Sequence, residues 1–258
     1  MRRLRLLLEY DGTHYAGWQR QPAAASIQGA VEGAAATLFQ VATRVTGAGR
    51  TDAGVHALGQ VAHLSTASAL STGRILDGLN ALLPDDIVVK DVAEAAAAFH
   101  ARRDARHRVY AYAILNRPQP SALLRHYAWH VPDRLDLDAM RSAATRFEGH
   151  QDFAAVRVTG TTTATTLCTV SSVGIDESDR GTVMVTIAAD RFLRQMVRMI
   201  VGTLVRVGRG ALSADAVVPI LASRNNQRTG PAAPAHGLYL VRVLYEADLL
   251  REQAPRLP

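Results

Sequence analysis

Apolar residues recur along this chain at two periods. Arg3 to Tyr10 reads as a first strand, turned by Asp11-Gly12-Thr13. Ile27, Val31, Ala34, Ala35 and Leu38 follow helical spacing and predict an amphipathic helix over 26–39. Val41 to Thr46 reads as a strand leading into a glycine-rich stretch, and Gln60 to Ser65 as a strand leading away. Ile75, Leu76, Leu79, Leu82 and Leu83 mark a second helix stopped by Pro84, and Asp86 to Val92 is the next strand. This β-α-β-β-α-β order places helices on one face of an antiparallel sheet.

The second half repeats the theme. Residues 107–115 alternate strictly: Val109, Ala111, Ala113 and Leu115 face one way, and Arg108, Tyr110, Tyr112 and Ile114 the other. Such a strand fits a sheet whose exposed side receives a base. Leu137, Met140, Ala144 and Phe147 predict a third helix with Asp136 as its cap. Val183, Val185 and Ile187 alternate as a strand. Phe192 to Leu204 predicts a strongly apolar helix, with Arg191, Arg194 and Arg198 on one stripe. An arginine on a buried helix needs an anion. Ser213 opens another helix, and a Pro/Gly-rich loop over 229–237 precedes the strand Leu238 to Tyr245. The expected fold is α+β: two halves, residues 1–104 and 105–258, each resembling an RRM or ferredoxin-like unit. A continuous, mostly antiparallel sheet joins them, with a cleft between. Residues 246–258 read as a disordered tail, and the threonine-rich run Thr159 to Thr166 as a flexible loop.

Composition narrows the partners. The chain has 258 residues, of which 48% are hydrophobic, enough to build a sizeable core. Cys168 is the only cysteine, so no internal disulfide can form; it reads as a buried small residue. Leu4 to Leu8 is too short and too interrupted for a signal peptide, and no apolar run is long enough for a membrane helix. A cytoplasmic protein without a membrane partner is expected. The net charge of +6 lies wholly beyond residue 104, because residues 1–104 carry ten basic and ten acidic side chains. A basic half points to a polyanion, nucleic acid first. Lys90 is the only lysine, and it lies in a strand-like run, which weakens any mechanism needing an amine.

The candidate chemistry sits at 47–64, where Gly47, Gly49, Gly54 and Gly59 surround Arg50 and Asp52. The glycines permit angles and close approaches that a Cβ forbids. A tight loop holding Asp52 beside Arg50 would favour the ionised carboxylate, a nucleophile or base. Gly47-Ala48-Gly49 begins like a dinucleotide fingerprint, but the sixth position is Asp52. Asp52, His56 and His63 match no zinc spacing. A second loop, His14 to Pro22, mixes Trp18, Gln19 and Arg20, groups that stack on and hydrogen-bond to unpaired bases.

Gly-Arg-Thr-Asp-Ala-Gly-Val-His-Ala, residues 49–57, closely resembles the catalytic motif of the tRNA pseudouridine synthase A family. Tyr-Asp-Gly-Thr-x-Tyr-x-Gly-Trp-Gln-x-Gln near the amino terminus, Arg-x-Tyr-x-Tyr at 108–112, Met-Val-Arg-x-Ile-Val-Gly at 196–202 and Ala-Pro-Ala-x-Gly-Leu-Tyr-Leu at 233–240 resemble its other signatures. Two departures stand out: Gln151 interrupts the Gly-x-His-Asp-Phe motif, and no arginine lies near Cys168. The resemblance implies isomerisation of uridine to pseudouridine at positions 38, 39 and 40 of the tRNA anticodon stem-loop, by a homodimer needing no cofactor or metal. It implies Asp52 as catalytic nucleophile, Tyr110 against the target base, Arg198 paired with Asp52, and Leu238 lining the uracil pocket. Arg50, Trp18, Gln19 and Arg194 are further expected substrate contacts. The rival is a non-catalytic RNA-binding protein, which leaves a carboxylate in a phosphate-binding cleft unexplained.

Overall fold

A computed structural model describes residues 1–158, 163–178 and 181–246. The strand β1 (Arg2–Tyr10) buries Leu4, Leu6 and Leu8 on one face and turns Arg3 and Arg5 to the other. Helix α1 (Ile27–Phe39) is capped by Ser26, whose hydroxyl accepts from the Gly29 amide, and it buries Ile27, Val31, Ala34 and Ala35. The strands β2 (Thr46–Gly47) and β3 (His56–Thr66) follow. Helix α2 (Thr72–Leu82) is capped by Ser71 and precedes β4 (Ile87–Ala95). The strand expected over 41–46 shrinks to its last residue and Gly47. Side chains from α1 take the backbone groups a neighbouring strand would use: Gln28 donates to the Val45 carbonyl at 2.9 Å, and the Val45 amide donates to Glu32 at 3.0 Å.

The rest of the chain supplies β5 (His107–Leu115), β6 (Trp129–His130), α3 (Leu137–Ala144), β7 (Gly149–Asp152), β8 (Leu167–Glu177), β9 (Thr182–Ala189), α4 (Met196–Gly208), α5 (Val217–Ser223) and β10 (Leu238–Leu244). Asp136 caps α3 as expected, accepting from the Ala139 amide at 2.9 Å. Two further sequence readings of this half, β8 and the start of α4, need correction. The strand β8 was not foreseen, because a register shift between Val170 and Ser172 breaks its alternation, so Cys168 and Val170 face inward before the break and Val173 and Ile175 after it. The helix expected from Phe192 begins only at Met196, because Gln195 adopts a left-handed φ of 59° that no helix continues through. Arg191 and Arg194 therefore lie before the helix, and the three-arginine stripe does not form; Arg198 alone of the three rides on α4.

Among the described residues one sheet runs β4-β1-β3-β10-β5-β9-β8-β7. Its pairings are antiparallel except at β3–β10 and β5–β6. The sheet is continuous across the expected 104/105 boundary, and the junction is unusual. Residues 238–244 return from the second half to lie between β3 and β5, yet β10 and β3 share only Tyr239↔His56 and Leu240↔Ala57. The main core covers one face of the sheet and includes Tyr110, Tyr112 and Ile114; a small cluster of Ala113, Leu115 and Ala128 lies on the other. Both faces of β5 are thus covered, so its tyrosine face is a wall of the core and not the open surface expected. No helix among the described residues is long and apolar enough to cross a membrane. Of the expected flexible loop, residues 159–162 lie outside the described residues, as do 247–258 of the expected tail.

Candidate active site

The loop between β2 and β3 carries Asp52. Gly47 is needed at its entry because a Cβ there would lie 2.5 Å from the Trp18 ring. Gly54 supplies the positive φ, 75°, of the turn after Asp52. Three polar contacts tie the loop from below. Gln60, wholly buried, donates from Nε2 to the Gly49 carbonyl at 3.0 Å. The Tyr10 and Thr51 hydroxyls meet at 2.9 Å. The Trp18 amide donates to the Thr51 carbonyl at 3.1 Å. The residues on both sides of Arg50 are therefore pinned, and Arg50 itself projects outward, exposed. Burial, eased by hydrogen bonds from Thr51 and Gln60, pushes the Tyr10 phenol up to about 12. It stays neutral and serves as a hydrogen-bonding post.

Arg198 approaches from the first turn of α4. Its Nη1 lies 3.6 Å from Asp52 Oδ2, an ion-pair contact longer than a hydrogen bond. The Asp52 side chain is 31% exposed and that of Arg198 15%. Water therefore reaches the carboxylate more than the guanidinium. Arg198 Nε donates to the Ala233 carbonyl at 2.7 Å, while the Ala233 amide donates back to the Arg198 carbonyl at 2.9 Å. That two-way bond joins α4 to the loop before β10.

The Tyr110 ring meets Phe192 edge-on, with centroids 5.0 Å apart. Its hydroxyl lies on the Gly49 side, 4.0 Å from where a Cβ on that glycine would sit. Burial, with Tyr10 and Asp52 nearby, pushes its phenol far above the ordinary value. It is a neutral O–H that can give or relay a proton. Register places Leu240 opposite Tyr110 and Leu238 opposite Tyr112, so all four share one face of the sheet. The Tyr112 hydroxyl donates to the Pro234 carbonyl at 2.7 Å.

The structure thus brings Asp52 and Arg198 together, with Tyr110 and Leu238 on the sheet face beneath. It does not bring in all the other expected residues. Arg50 makes no ion pair with Asp52 among the described residues; Arg198 takes that place. Trp18 is 2% exposed and packs under the loop against Gly47 and Tyr10, so it supports the site from beneath. Gln19 is engaged with α1 through Gln28 at 2.7 Å. Arg194 is exposed in the turn before α4, and Arg191 bonds Thr163 and the Thr165 carbonyl. Cys168 is buried, and burial pushes its thiol up to about 11, which suits a packed residue and not a nucleophile. Among the described residues no cluster of histidine, cysteine and carboxylate side chains could hold a metal ion.

Sequence reasoning missed the supports. Gln60 carries no local signal, since a polar residue in an alternating strand reads as solvent-facing. Arg108 donates to four carbonyls, those of Ala48, Arg102, Ala105 and Asp190. It knots the entry of the Asp52 loop to the end of β9. Burial lowers its pKa from the ordinary arginine value.

Comparison with known proteins gives one consistent result. A family model described as tRNA pseudouridine synthase matches residues 7–104 and 143–246. A protein of Acetivibrio thermocellus called tRNA pseudouridine synthase A is 46% identical over 245 residues, covering 95% of this chain and 100% of that relative. Proteins of the same description from Geobacter sulfurreducens and Chloroflexus aurantiacus are each 45% identical. The first covers 95% of this chain and 100% of the relative, the second 99% and 93%.

Proposed function

The chain belongs to the tRNA pseudouridine synthase family and is an isomerase of tRNA uridine, and on that premise we propose that Asp52 is its nucleophile, acting on uridines 38, 39 and 40 of the anticodon stem-loop. The supporting observation is the Asp52–Arg198 contact over a wall of buried tyrosine. The target nucleotide swings out of its stem to reach a carboxylate so placed. Asp52 attacks ribose C1′ or uracil C6, and the bond it forms breaks again, freeing the carboxylate, once C5 has bonded C1′. The bond from N1 to C1′ breaks, the uracil turns, and C5 bonds C1′ in its place. C5 gives up its proton and N1 ends protonated, so the change is an isomerisation with no oxidant or reductant. Arg198 aims the carboxylate. The Tyr110 phenol helps move the C5 proton, and Leu238 borders the uracil. Arg50 and Arg194, both exposed, meet phosphates of the RNA. The protein works as a homodimer in the cytoplasm.

Incubating the protein with tRNA labelled at uridine C5 tests the reaction. Release of that hydrogen from the anticodon arm is the expected outcome; none would leave only an RNA-binding module. Tyr110→Phe keeps the ring on Phe192 and removes the hydroxyl. Single-turnover release should fall by about 10²-fold or more while binding persists. A phenylalanine variant as fast as the wild type would reduce Tyr110 to a stacking wall.

A further inference from the structure

His56 opens β3 four residues after Asp52 and is buried. Its Nδ1 lies 3.0 Å from Asp11 Oδ1 and 3.1 Å from the Gly12 amide. Its Nε2 lies 3.0 Å from the His126 carbonyl and 3.1 Å from the His236 carbonyl. Facing two acceptors, Nε2 carries the hydrogen. The ring stacks on Tyr239 with centroids 4.9 Å apart and tilts against Tyr127 at 5.4 Å. Those two residues are tied into the same knot, since the Tyr127 hydroxyl donates to Asp11 Oδ2 and the Tyr239 hydroxyl to the Tyr127 carbonyl, each at 2.7 Å. Asp11 is partly desolvated, but hydrogen bonds from Thr13 and Tyr127 and the neighbouring His56 outweigh that and hold its carboxyl below its ordinary pKa.

The contact with His236 matters because of what precedes it in the chain. Three carbonyls in the stretch 233–236 are each held by a different side chain. Ala233 is held by Arg198 Nε, Pro234 by the Tyr112 hydroxyl and His236 by His56 Nε2. His56 therefore fixes the far end of the segment whose near end aims Arg198. On the β3 side the sheet adds only two residue pairs, Tyr239↔His56 and Leu240↔Ala57, while the other edge of β10 is held along β5 from Leu238 onward.

We infer that His56 is a positioning residue: through its Nε2 bond to the His236 carbonyl it sets the reach of Arg198 to Asp52. This rests on the reading of Asp52 and Arg198 as the working pair. The test separates the two ends of the imidazole. In His56→Gln the amide nitrogen reaches the place of Nε2 and keeps the bond to the carbonyls. In His56→Asn the shorter amide keeps only the Asp11 side. Single-turnover conversion by the glutamine variant should stay within about 5-fold of wild type, and that of the asparagine variant should fall about 30-fold with tRNA affinity unchanged. In an Arg198→Ala background the asparagine substitution should cost no more than about 2-fold, because its effect passes through that arginine. Equal rates for the two variants would overturn the inference, and so would the same 30-fold loss in both backgrounds. Thermal melting reports whether the variants fold. If the asparagine variant does not, His56→Phe, which keeps the ring on Tyr239 and loses both polar ends, takes its place with the same expectations. Wild-type protein that releases no C5 hydrogen would sink the functional reading and this inference with it; wild-type activity with either contrary pattern would sink the inference alone.

Discussion

Asp52 and Arg198 face each other from supports of opposite kinds. Asp52 sits in a loop whose restraint comes from polar groups on two strands and a neighbouring loop: Gln60 to Gly49, Tyr10 to Thr51, the Trp18 amide to the Thr51 carbonyl. Arg198 rides a helix that satisfies its own backbone and is locked by Met196, Ile200, Val201 and Leu204 in the core. One polar bond, to the Ala233 carbonyl, aims it. A loop has no ladder of its own, so each support it loses leaves a buried donor or acceptor unpaired. A helix spreads its restraint over many weak contacts. The carboxylate is placed by a few directional bonds, the guanidinium by bulk packing and one bond.

The largest effect should come from removing the carboxylate itself. Asp52→Asn is expected to lower single-turnover conversion by at least about 10³-fold. Its tRNA affinity should match or slightly exceed wild type, because one negative charge is removed from the surface proposed to meet the polyanion. Near-normal turnover would end the nucleophile assignment. Next comes the partner. Arg198→Ala strands the carboxylate and should cost about 10²-fold in conversion, more than it costs in binding. Arg198→Lys keeps the charge but loses the Nε bond to Ala233, so it should recover only part of the rate. Full recovery would mean that charge matters and aim does not.

A third pair of variants sets the two supports against each other. Gln60→Leu should destabilise the fold by about 1–3 kcal/mol, leaving the Gly49 carbonyl unpaired. Ile200→Ala in α4 should destabilise it by about 2–5 kcal/mol through a cavity. Yet the glutamine change should lower conversion more, when both are measured well below their melting temperatures. The reverse order of rates would break the contrast between directional and bulk support. The smallest effect concerns acid. Burial, with the Arg3 and His100 charges nearby, pushes the His63 imidazole on β3 down to about 4 from 6.5. It accepts from the Ala101 amide through Nδ1 and is neutral in the fold. The unfolded chain takes up that proton first. This contribution to stability is therefore complete above about pH 6.5 and shrinks as pH falls toward 4. Urea midpoints across that window should decline, and His63→Gln should flatten the decline. An unchanged slope in the variant would remove His63 as its source.

Much of this was legible because it is local. Leucine alternation in β1, the spacing of Ile27, Val31, Ala34 and Ala35, and the Asp136 cap are decided within a few residues. The failures have non-local or backbone causes. The 41–46 strand was lost because Gln28 and Glu32, on another element, take Val45's hydrogen bonds. The start of α4 moved because Gln195 sits in a left-handed conformation that glycine would have announced and glutamine does not. Trp18 looks like a stacking group in sequence because its burial depends on Gly47, far along the chain. The motif string located Asp52, but nothing in it announces Gln60 or Arg108 as supports. Buried polar side chains bonded to carbonyls have no periodic signature.

The narrow join of β3 to β10 has a consequence for how the chain is made. Residues 1–95 hold β1, β3 and β4, whose pairings with one another need no later part of the chain. The edge of β3 near His56 must then wait until residues 238–244 have been translated and have come back across the second half. Until then the nascent chain presents an open strand edge, a place where nascent chains pair wrongly. Pairing of β3 with β10 is thus among the last steps of assembly, and Asp52 gains Arg198 only when both halves have been translated.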